Sequence, residues 1–573
     1  MENKVDNIKY GSIQETCRIW LDNTGEDTEL AEELRAMQGN PELLEDAFYK
    51  ELSFGTGGLR GIIGAGTNRM NIYTVAKASQ GLAGYIMGRY EKTKRRIAVS
   101  YDSRMKSRLF AETAAGVFAA NGIHVLIFPE LMPTPCLSYA VRSLSCAAGI
   151  MITASHNPAE YNGYKVYGQD GCQITEEAAT EILTFITAAD PFNSINKFSF
   201  TEGLASGTIA YIDEGIVTDY ISCVKAQSML YENEKADKNI VIVYSPLNGT
   251  GLKPVLRTLQ ESGYTKVTVV KEQEQPDGRF PTCPYPNPEI REAMALGMGY
   301  AEKCGADLLL ATDPDCDRVG IAVRNIQGTY KLLSGNETGM LLLDYICAQR
   351  QKYGTMPKSP IFIKTIVTTD MAERIAMDYG VSCINVLTGF KYIGEQIGLM
   401  EREGRGDSYL FGFEESYGYL SGTYVRDKDA VVGAFLICEM TAFYRARGLT
   451  LLERLDELYG RYGYCLNTLH SYTFEGTAGL GRMQHLMHQF RHGQLRLGQE
   501  IILNCLDYME GVNGLPKADV LKFCLKDNSF VIIRPSGTEP KIKVYISICE
   551  KSRSAAALKE QAVVNAMEQF MNV

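Results

Sequence analysis

The sequence predicts an α/β protein of four domains, three related α/β units followed by a smaller α+β domain. Apolar, strand-like runs alternate with helical stretches, the pattern of mainly parallel sheets covered by helices. The rhythm comes in three sets. RRIAVSYDSR, HVLIFPELMPTP and AAGIMITASHNP form the first, and NIVIVYSPLNGTG, KVTVVKEQEQPDGRFP and ADLLLATDPDCDRVGIAV the second. PIFIKTIVTTD, SCINVLTGFKY and SYLFGFEESYGY form the third. The tail breaks the rhythm with TLHSYTF, a helical stretch, SFVIIRPSGTEPKIKVYISI and a final helix. The boundaries fall at about 1–210, 211–330, 331–460 and 461–573, in keeping with the ~150 residues of an average domain.

Taken in order, the first ~50 residues read as charged helices (TELAEELRAM, PELLEDAFYKEL). SFGTGGLRGIIGAGTNRMN reads as a glycine-rich loop region and TVAKASQGLAGYIMGRY as a helix. The apolar run Ala147 to Ile152 then enters TASHNP, a buried strand ending in a tight turn. That turn sets Ser155 beside His156 at a strand tip, where α/β proteins place their sites.

Composition bounds the function. Hydrophobic residues make up 45% and charged residues 22% of the 573, ordinary for a folded soluble chain. The formal charge of −10 argues against nucleic acid as a partner, while a few local Arg and Lys still suit a small anionic substrate. The 15 cysteines are scattered, with no C-x-x-C, and several lie in apolar runs (Cys304, Cys438, Cys524). They are expected to be reduced core residues of a cytoplasmic protein. MENKVDNIKYGS has neither the apolar core nor the cleavage site of a signal peptide, and no run reaches the ~20 residues of a membrane span.

The sharpest motif is Asp313-Pro-Asp315-Cys-Asp317-Arg318, directly after ADLLLAT. Carboxylates at i, i+2 and i+4 share one side of an extended chain. They repel one another unless a cation lies between them, and all-oxygen ligands favour Mg²⁺ or Ca²⁺. Arg318 and Arg324 stand where an EF-hand loop needs Gly and Glu, which excludes that reading. A second motif, Arg534-Pro-Ser536-Gly537-Thr538-Glu539-Pro, offers a guanidinium fork, two hydroxyls and a glycine, with Lys541 and Lys543 nearby. Such a turn suits phosphate. Gly412-Phe-Glu414-Glu415-Ser416-Tyr417-Gly418 could hold sugar hydroxyls. FGTGGLRG has a helical segment before it where a dinucleotide fingerprint needs a strand; Arg60 remains a phosphate candidate. His485, His488 and His492 fall at helical spacing and read as one exposed face.

Together these residues resemble the α-D-phosphohexomutases. TASHNP resembles their phosphoserine loop, DPDCDR the metal loop, GFEESYG the sugar loop and RPSGTEP the phosphate loop, in the same order. Length and FGTGGLRGIIGAGTNRMN look most like the phosphoglucomutase and phosphopentomutase branch. Pro314 and Cys316 stand where many relatives have Gly. Glu-Glu-Ser-Tyr-Gly resembles phosphoglucomutases rather than phosphomannomutase-type enzymes.

The resemblance implies four domains around a central cleft, the first three with mixed sheets. It implies Ser155 as covalent phosphoryl carrier, with Ser155, Asp313, Asp315 and Asp317 around Mg²⁺. Lys165 is implied as general base or phosphate clamp, His156 as a loop organiser or phosphate contact, and Arg60 and Arg318 as cleft charges. Glu414, Ser416, Thr388 and Gly389 would hold the sugar. Arg534, Ser536, Gly537, Thr538 and Lys541 would hold the distant phosphate. The implied reaction interconverts glucose 1-phosphate and glucose 6-phosphate through glucose 1,6-bisphosphate. The partners are sugar phosphates rather than nucleic acid or membrane, and the protein a cytoplasmic monomer or small homo-oligomer. Phosphopentomutase, phosphomannomutase, glucose-1,6-bisphosphate synthase and an inactive sugar-phosphate binder remain alternatives.

Overall fold

The computed structural model describes residues 2–25, 27–231, 234–474, 476–493, 495–536 and 541–571. Gly537 and Thr538 of the phosphate motif therefore lie outside the described residues. The first sheet holds β1 (Leu59–Ile62), β2 (Arg96–Tyr101), β3 (His124–Ile127), β4 (Ala148–Ile152), β5 (Tyr161–Gly168) and β6 (Ile209–Tyr211), in the order β1-β5-β4-β2-β3-β6. The second holds β7 (Ile242–Ser245), β8 (Val267–Val269), β9 (Leu308–Thr312), β10 (Val319–Arg324) and β11 (Tyr330–Leu333), in the order β11-β10-β9-β7-β8. The third holds β12 (Ile361–Thr365), β13 (Ser382–Val386), β14 (Tyr409–Glu414) and β15 (Gly418–Ser421), in the order β13-β12-β14-β15. Helices cover these sheets, whose central strands β2, β4, β7, β9, β12 and β14 are apolar and almost wholly buried. Continuous apolar runs are what a strand covered on both faces requires.

The last sheet is antiparallel throughout: β16 (Tyr464–Thr473), β17 (Ile502–Asp507), β18 (Leu521–Leu525), β19 (Phe530–Pro535) and β20 (Lys541–Glu550), ordered β16-β20-β19-β18-β17. The helices Gly476–His492 and Arg553–Met571 complete this α+β unit, and His485, His488 and His492 lie exposed on the first of them.

The first three sheets are mixed, as the resemblance implies, with parallel pairs in each and antiparallel neighbours at β4–β5, β9–β10 and β14–β15. Alternation alone cannot distinguish a short hairpin return from a crossover. Two expectations need correction. The glycine-rich segment after residue 53 holds β1, which pairs with β5. Finally, Cys465 and Cys549 face each other across β16 and β20 with Cα atoms 4.3 Å apart and are joined as a disulfide. Register, not sequence spacing, brings them together. Cys438 is buried as expected, Cys524 is half-buried and Cys304 is exposed.

The three N-terminal helices, Glu2–Asn23, Thr28–Met37 and Pro41–Phe48, pack on one another around a small apolar cluster that Tyr73, on the helix Ile72–Arg89, and Phe192 adjoin. Asp27 and Asn40 cap the second and third by accepting from Leu30 N and Leu43 N. The cluster is fastened by Trp20, the chain's single tryptophan, which packs edge-on against Phe48, Tyr73 and Phe192 at 5.4–5.8 Å between ring centres. Trp20→Ala should destabilise this cluster by about 3–5 kcal/mol. The measurement is denaturant unfolding with limited proteolysis of the N-terminal region. Unchanged protection would contradict the assignment.

Candidate active site

The three motif loops occupy equivalent places. Each is the turn by which the chain leaves a central strand and returns antiparallel beside it: TASHNP after β4, DPDCDR after β9, EESY after β14. Each turn also holds a non-glycine residue in the left-handed region, Ser155 at φ 52°, Cys316 at φ 52° and Tyr417 at φ 65°. Such backbone costs of order 1 kcal/mol or more and concentrates at functional sites. It also explains why glycine suits the Cys316 position. The aspartates converge through this turn rather than along an extended strand, a correction to the sequence reading.

At the centre, Asp313, Asp315 and Asp317 each offer a carboxylate oxygen within 4.8 Å of the others, all three side chains buried. At that spacing each pair of charges repels by about 3–4 kcal/mol at an effective dielectric of ~20. Part of this is met from neighbouring domains. Lys165 Nζ donates to Asp315 at 2.7 Å and Asp317 at 3.2 Å, and Lys428 Nζ lies 3.2 Å from Asp317. Thr134 Oγ1 donates to Asp315 (3.0 Å), while Asp313 accepts from the backbone of Asp317 and Arg318. Burial and the two flanking carboxylates push Asp313 well above the usual range. Burial works against the Asp317 carboxylate too, but Lys428, Lys165 and Arg318 hold it below its ordinary value. Among the described residues Asp315 Oδ1 and Asp317 Oδ1 are buried without a hydrogen-bond partner, though Arg318 Nε lies 3.8 Å from the latter. Converging hard oxygens with open lone pairs fit a divalent cation.

Ser155 meets this cluster. Its Oγ donates to Asp313 at 2.8 Å, and His156 Nδ1 lies 3.1 Å from the same oxygen. Burial, with the positive charges of Arg318 and Arg60, holds His156 well below its ordinary pKa and keeps the ring neutral. For Lys165, burial pulls the pKa down, but Asp315 and Asp317 outweigh it and keep the ammonium charged. Arg60 donates to Asn157 (2.9 Å) and Arg318 to Glu289 (2.6 Å). Lys428 also reaches Asp427 at 3.2 Å and Glu414 at 3.8 Å. Burial pushes Glu414 up to about 7, against the pull of Lys428.

The remaining candidates stand further out. Thr388 Oγ1 is buried with no hydrogen-bond partner among the described residues, and Gly389 (φ 120°) starts the helix Phe390–Arg402. Ser416 lines a small cleft with Glu289, Glu415 and Tyr545. Arg534, Ser536 and Lys541 lie at the β19–β20 hairpin, where Ser536 N donates to Lys541 O. No hydrogen bond or ion pair among the described residues joins these three to the Ser155–aspartate cluster; the charge of Arg534 is felt instead at Glu415, whose pKa burial raises and Arg534 opposes.

Sequence reasoning missed Asp102, Arg104 and Lys428. Asp102 accepts from Thr153 Oγ1 (2.6 Å), Ser107 Oγ (2.7 Å) and Arg104 N (2.9 Å). Arg104 donates to the carbonyls of Ser155 (2.6 Å), Pro158 (2.7 Å), Tyr161 (2.9 Å) and Asn157, so it holds the whole serine turn. The available signal for Asp102 and Arg104 was ionisable residues directly after an apolar run, in RRIAVSYDSR, while Lys428 lies in the charged run RDKD, which no apolar run precedes. If the aspartates hold a divalent cation, adding it at ~100 times its dissociation constant should stabilise the fold by about 2.7 kcal/mol. Asp315→Asn should remove most of that gain in a thermal melt. An equal gain in the variant would place the ion elsewhere.

Comparison with known proteins agrees with this architecture. Family models described as phosphoglucomutase/phosphomannomutase alpha/beta/alpha domains I, II and III match residues 51–192, 218–328 and 334–462. The corresponding C-terminal domain model matches residues 500–565. A phosphoglucomutase of Staphylococcus saprophyticus is 36% identical over 546 residues, covering 92% of this chain and 96% of that one. One from Staphylococcus haemolyticus is 34% identical over 517 residues, 88% and 91% of the two chains. Among solved structures, a putative phosphomannomutase from Thermus thermophilus superposes with a TM-score of 0.67 at 21% identity, covering 91% of this chain and all of that one. The Paramecium phosphoglucomutase parafusin, in its open form, gives 0.66 at 19% identity, covering 91% and 95%. Four domain models in order and near-full-length relatives above 30% identity place the chain in the phosphoglucomutase/phosphomannomutase family of the α-D-phosphohexomutase superfamily, where it is most like the phosphoglucomutases.

Proposed function

We propose that this protein is a phosphoglucomutase, interconverting α-D-glucose 1-phosphate and glucose 6-phosphate through a phosphoserine at Ser155 and glucose 1,6-bisphosphate. The observation that carries the reading is Ser155 Oγ, held 2.8 Å from Asp313 on a left-handed turn at the edge of a buried three-carboxylate cluster. The relatives named phosphoglucomutase and the Glu414-Glu415-Ser416-Tyr417 turn support glucose as the sugar.

A sugar hydroxyl attacks the phosphorus carried on Ser155. The new O–P bond forms as the bond to Oγ breaks, the hydroxyl gives up its proton and Oγ regains one. The bisphosphate turns over, and its other phosphoryl group returns to Ser155 by the reverse step. Phosphoryl transfer depends mainly on positioning and charge stabilisation. Asp313, Asp315 and Asp317 with Ser155 would hold Mg²⁺, which when bound neutralises charge on the transferring group. Lys165, already paired with two carboxylates, acts as a fixed positive clamp, and Arg60 and Arg318 add charge at the same end. His156 steadies the serine turn. Arg534, Ser536, Gly537, Thr538 and Lys541 receive the phosphate that is not reacting. Glu414, Ser416, Thr388 and Gly389 hold the hydroxyls in both orientations. A trace of glucose 1,6-bisphosphate primes the serine. A cytoplasmic location fits a small anionic substrate; no helix of the described residues is long and apolar enough to cross a membrane.

The test is kcat/KM for glucose 1-phosphate, mannose 1-phosphate and ribose 1-phosphate with Mg²⁺ and trace glucose 1,6-bisphosphate. A preference of about 100-fold for glucose, about 2.7 kcal/mol at the transition state, is expected, with turnover lost in Ser155→Ala. A preference for mannose or ribose would move the enzyme to a sister activity with the mechanism intact. Near-normal turnover in Ser155→Ala would overturn the covalent mechanism.

A further inference from the structure

Arg104 holds the serine turn by four carbonyl contacts, yet it is itself held from another domain. Its guanidinium stacks over the ring of Phe280 at 5.1 Å. Its backbone forms an isolated parallel bridge with Gly278. The approach is so close that a Cβ on Gly278 would lie 2.3 Å from Met105 N and 2.6 Å from the Arg104 carbonyl carbon. Phe280 is buried and sits at φ 46°, a conformation unusual for a large aromatic residue. Such strain persists only where its surroundings fix it.

The same segment continues to the carboxylates. Asp277 N donates to Asn248 O at 3.2 Å, and Asn248 Nδ2 donates to Gln275 O at 2.8 Å. Leu247 and Asn248 are both left-handed, at φ 46° and 56°. Two residues on, Thr250 N donates to the carbonyl of Pro314 at 2.8 Å. Gly249 approaches that proline so closely that a Cβ would lie 2.5 Å from its Cα. One end of the bracket grips the arginine under Ser155, and the other grips the residue between Asp313 and Asp315.

We propose that the segments Leu247–Thr250 and Gly278–Phe280 are a positioning bracket that sets Ser155 Oγ against the aspartate cluster, with Phe280 and Gly278 as positioning residues for phosphoryl transfer. The stacking, the bridge and the close approach are to Arg104 and Met105, not to the candidate substrate or phosphate residues. Loosening Arg104 lets the serine turn drift while the sugar and distal-phosphate contacts stay in place. The effect therefore falls on the transfer step and not on substrate affinity. A displacement near 1 Å at a reacting group costs about 100-fold in rate.

The inference rests on the phosphoserine reading, and the experiment separates the two. Full-length protein is mixed with glucose 1,6-bisphosphate and Mg²⁺, and phosphoryl loading of Ser155 is followed by rapid quench and mass spectrometry, alongside steady-state kinetics and a thermal melt. Phe280→Leu, which keeps bulk but loses the π face, and Gly278→Ala should lower the loading rate and kcat by about 10- to 100-fold with KM near the wild-type value. Phe280→Tyr, which keeps the ring, should recover most of the rate. Lys271→Ala, an exposed side chain outside both segments, should behave as wild type. If Phe280→Leu or Gly278→Ala, whose Cβ meets the backbone of Arg104 and Met105, does not fold, Phe280→Met decides by the same loading assay. Wild-type loading in Phe280→Leu or Gly278→Ala, or a loss confined to KM, would overturn the bracket alone. Absence of loading in the wild type would overturn the phosphoserine reading and the bracket with it.

Discussion

Mutual repulsion among three buried aspartates is the constraint on which the rest of the site depends. Asp313, Asp315 and Asp317 sit on one tight turn of the second sheet, and no residue of that turn other than Arg318 carries a compensating charge. The ammonium groups come from elsewhere: Lys165 from β5 of the first sheet, Lys428 from the segment after β15 of the third. Buried ions are retained only where partners and hydrogen bonds are well placed. The cluster thus draws three sheets together, and the serine that meets it lies in the turn of the same β4–β5 hairpin that supplies Lys165. Packing of the first three units and assembly of the site are one problem.

That arrangement explains why three loops of different chemistry share one backbone solution. Each follows a buried central strand, turns through a left-handed residue and returns as an antiparallel strand. The turn aims polar side chains off the sheet edge without breaking the apolar layer beneath. The fourth unit contributes differently. Its β19–β20 hairpin carries Arg534, whose charge is felt at Glu415, and under the proposed function this hairpin takes the phosphate that is not reacting.

Much of this was legible in the sequence. The buried strands before TASHNP, DPDCDR and EESY were plain because their apolar runs are continuous, and the aspartate spacing pointed to a cation. Mixed pairing was not legible from the rhythm, because a return strand such as Tyr161–Gly168 reads as one more strand in an alternating series. Asp102, Arg104 and Lys428 escaped because their role is set by partners 51 to 111 residues away. An ionisable residue after an apolar run, as in YDSR, marks a position but does not by itself distinguish a buried arginine holding four carbonyls from an exposed one. The Cys465–Cys549 pair escaped for the same reason, since strand register alone joins them.

The most direct test of the account is a crystal of the protein grown with Mn²⁺ and read by anomalous scattering. One peak is expected, bound by an oxygen from each of Asp313, Asp315 and Asp317 and by Ser155 Oγ or a phosphoryl oxygen upon it. An ion bound away from these aspartates, or held by them with Ser155 turned out of reach, would contradict the claim that serine and carboxylates form a single phosphoryl-transfer centre.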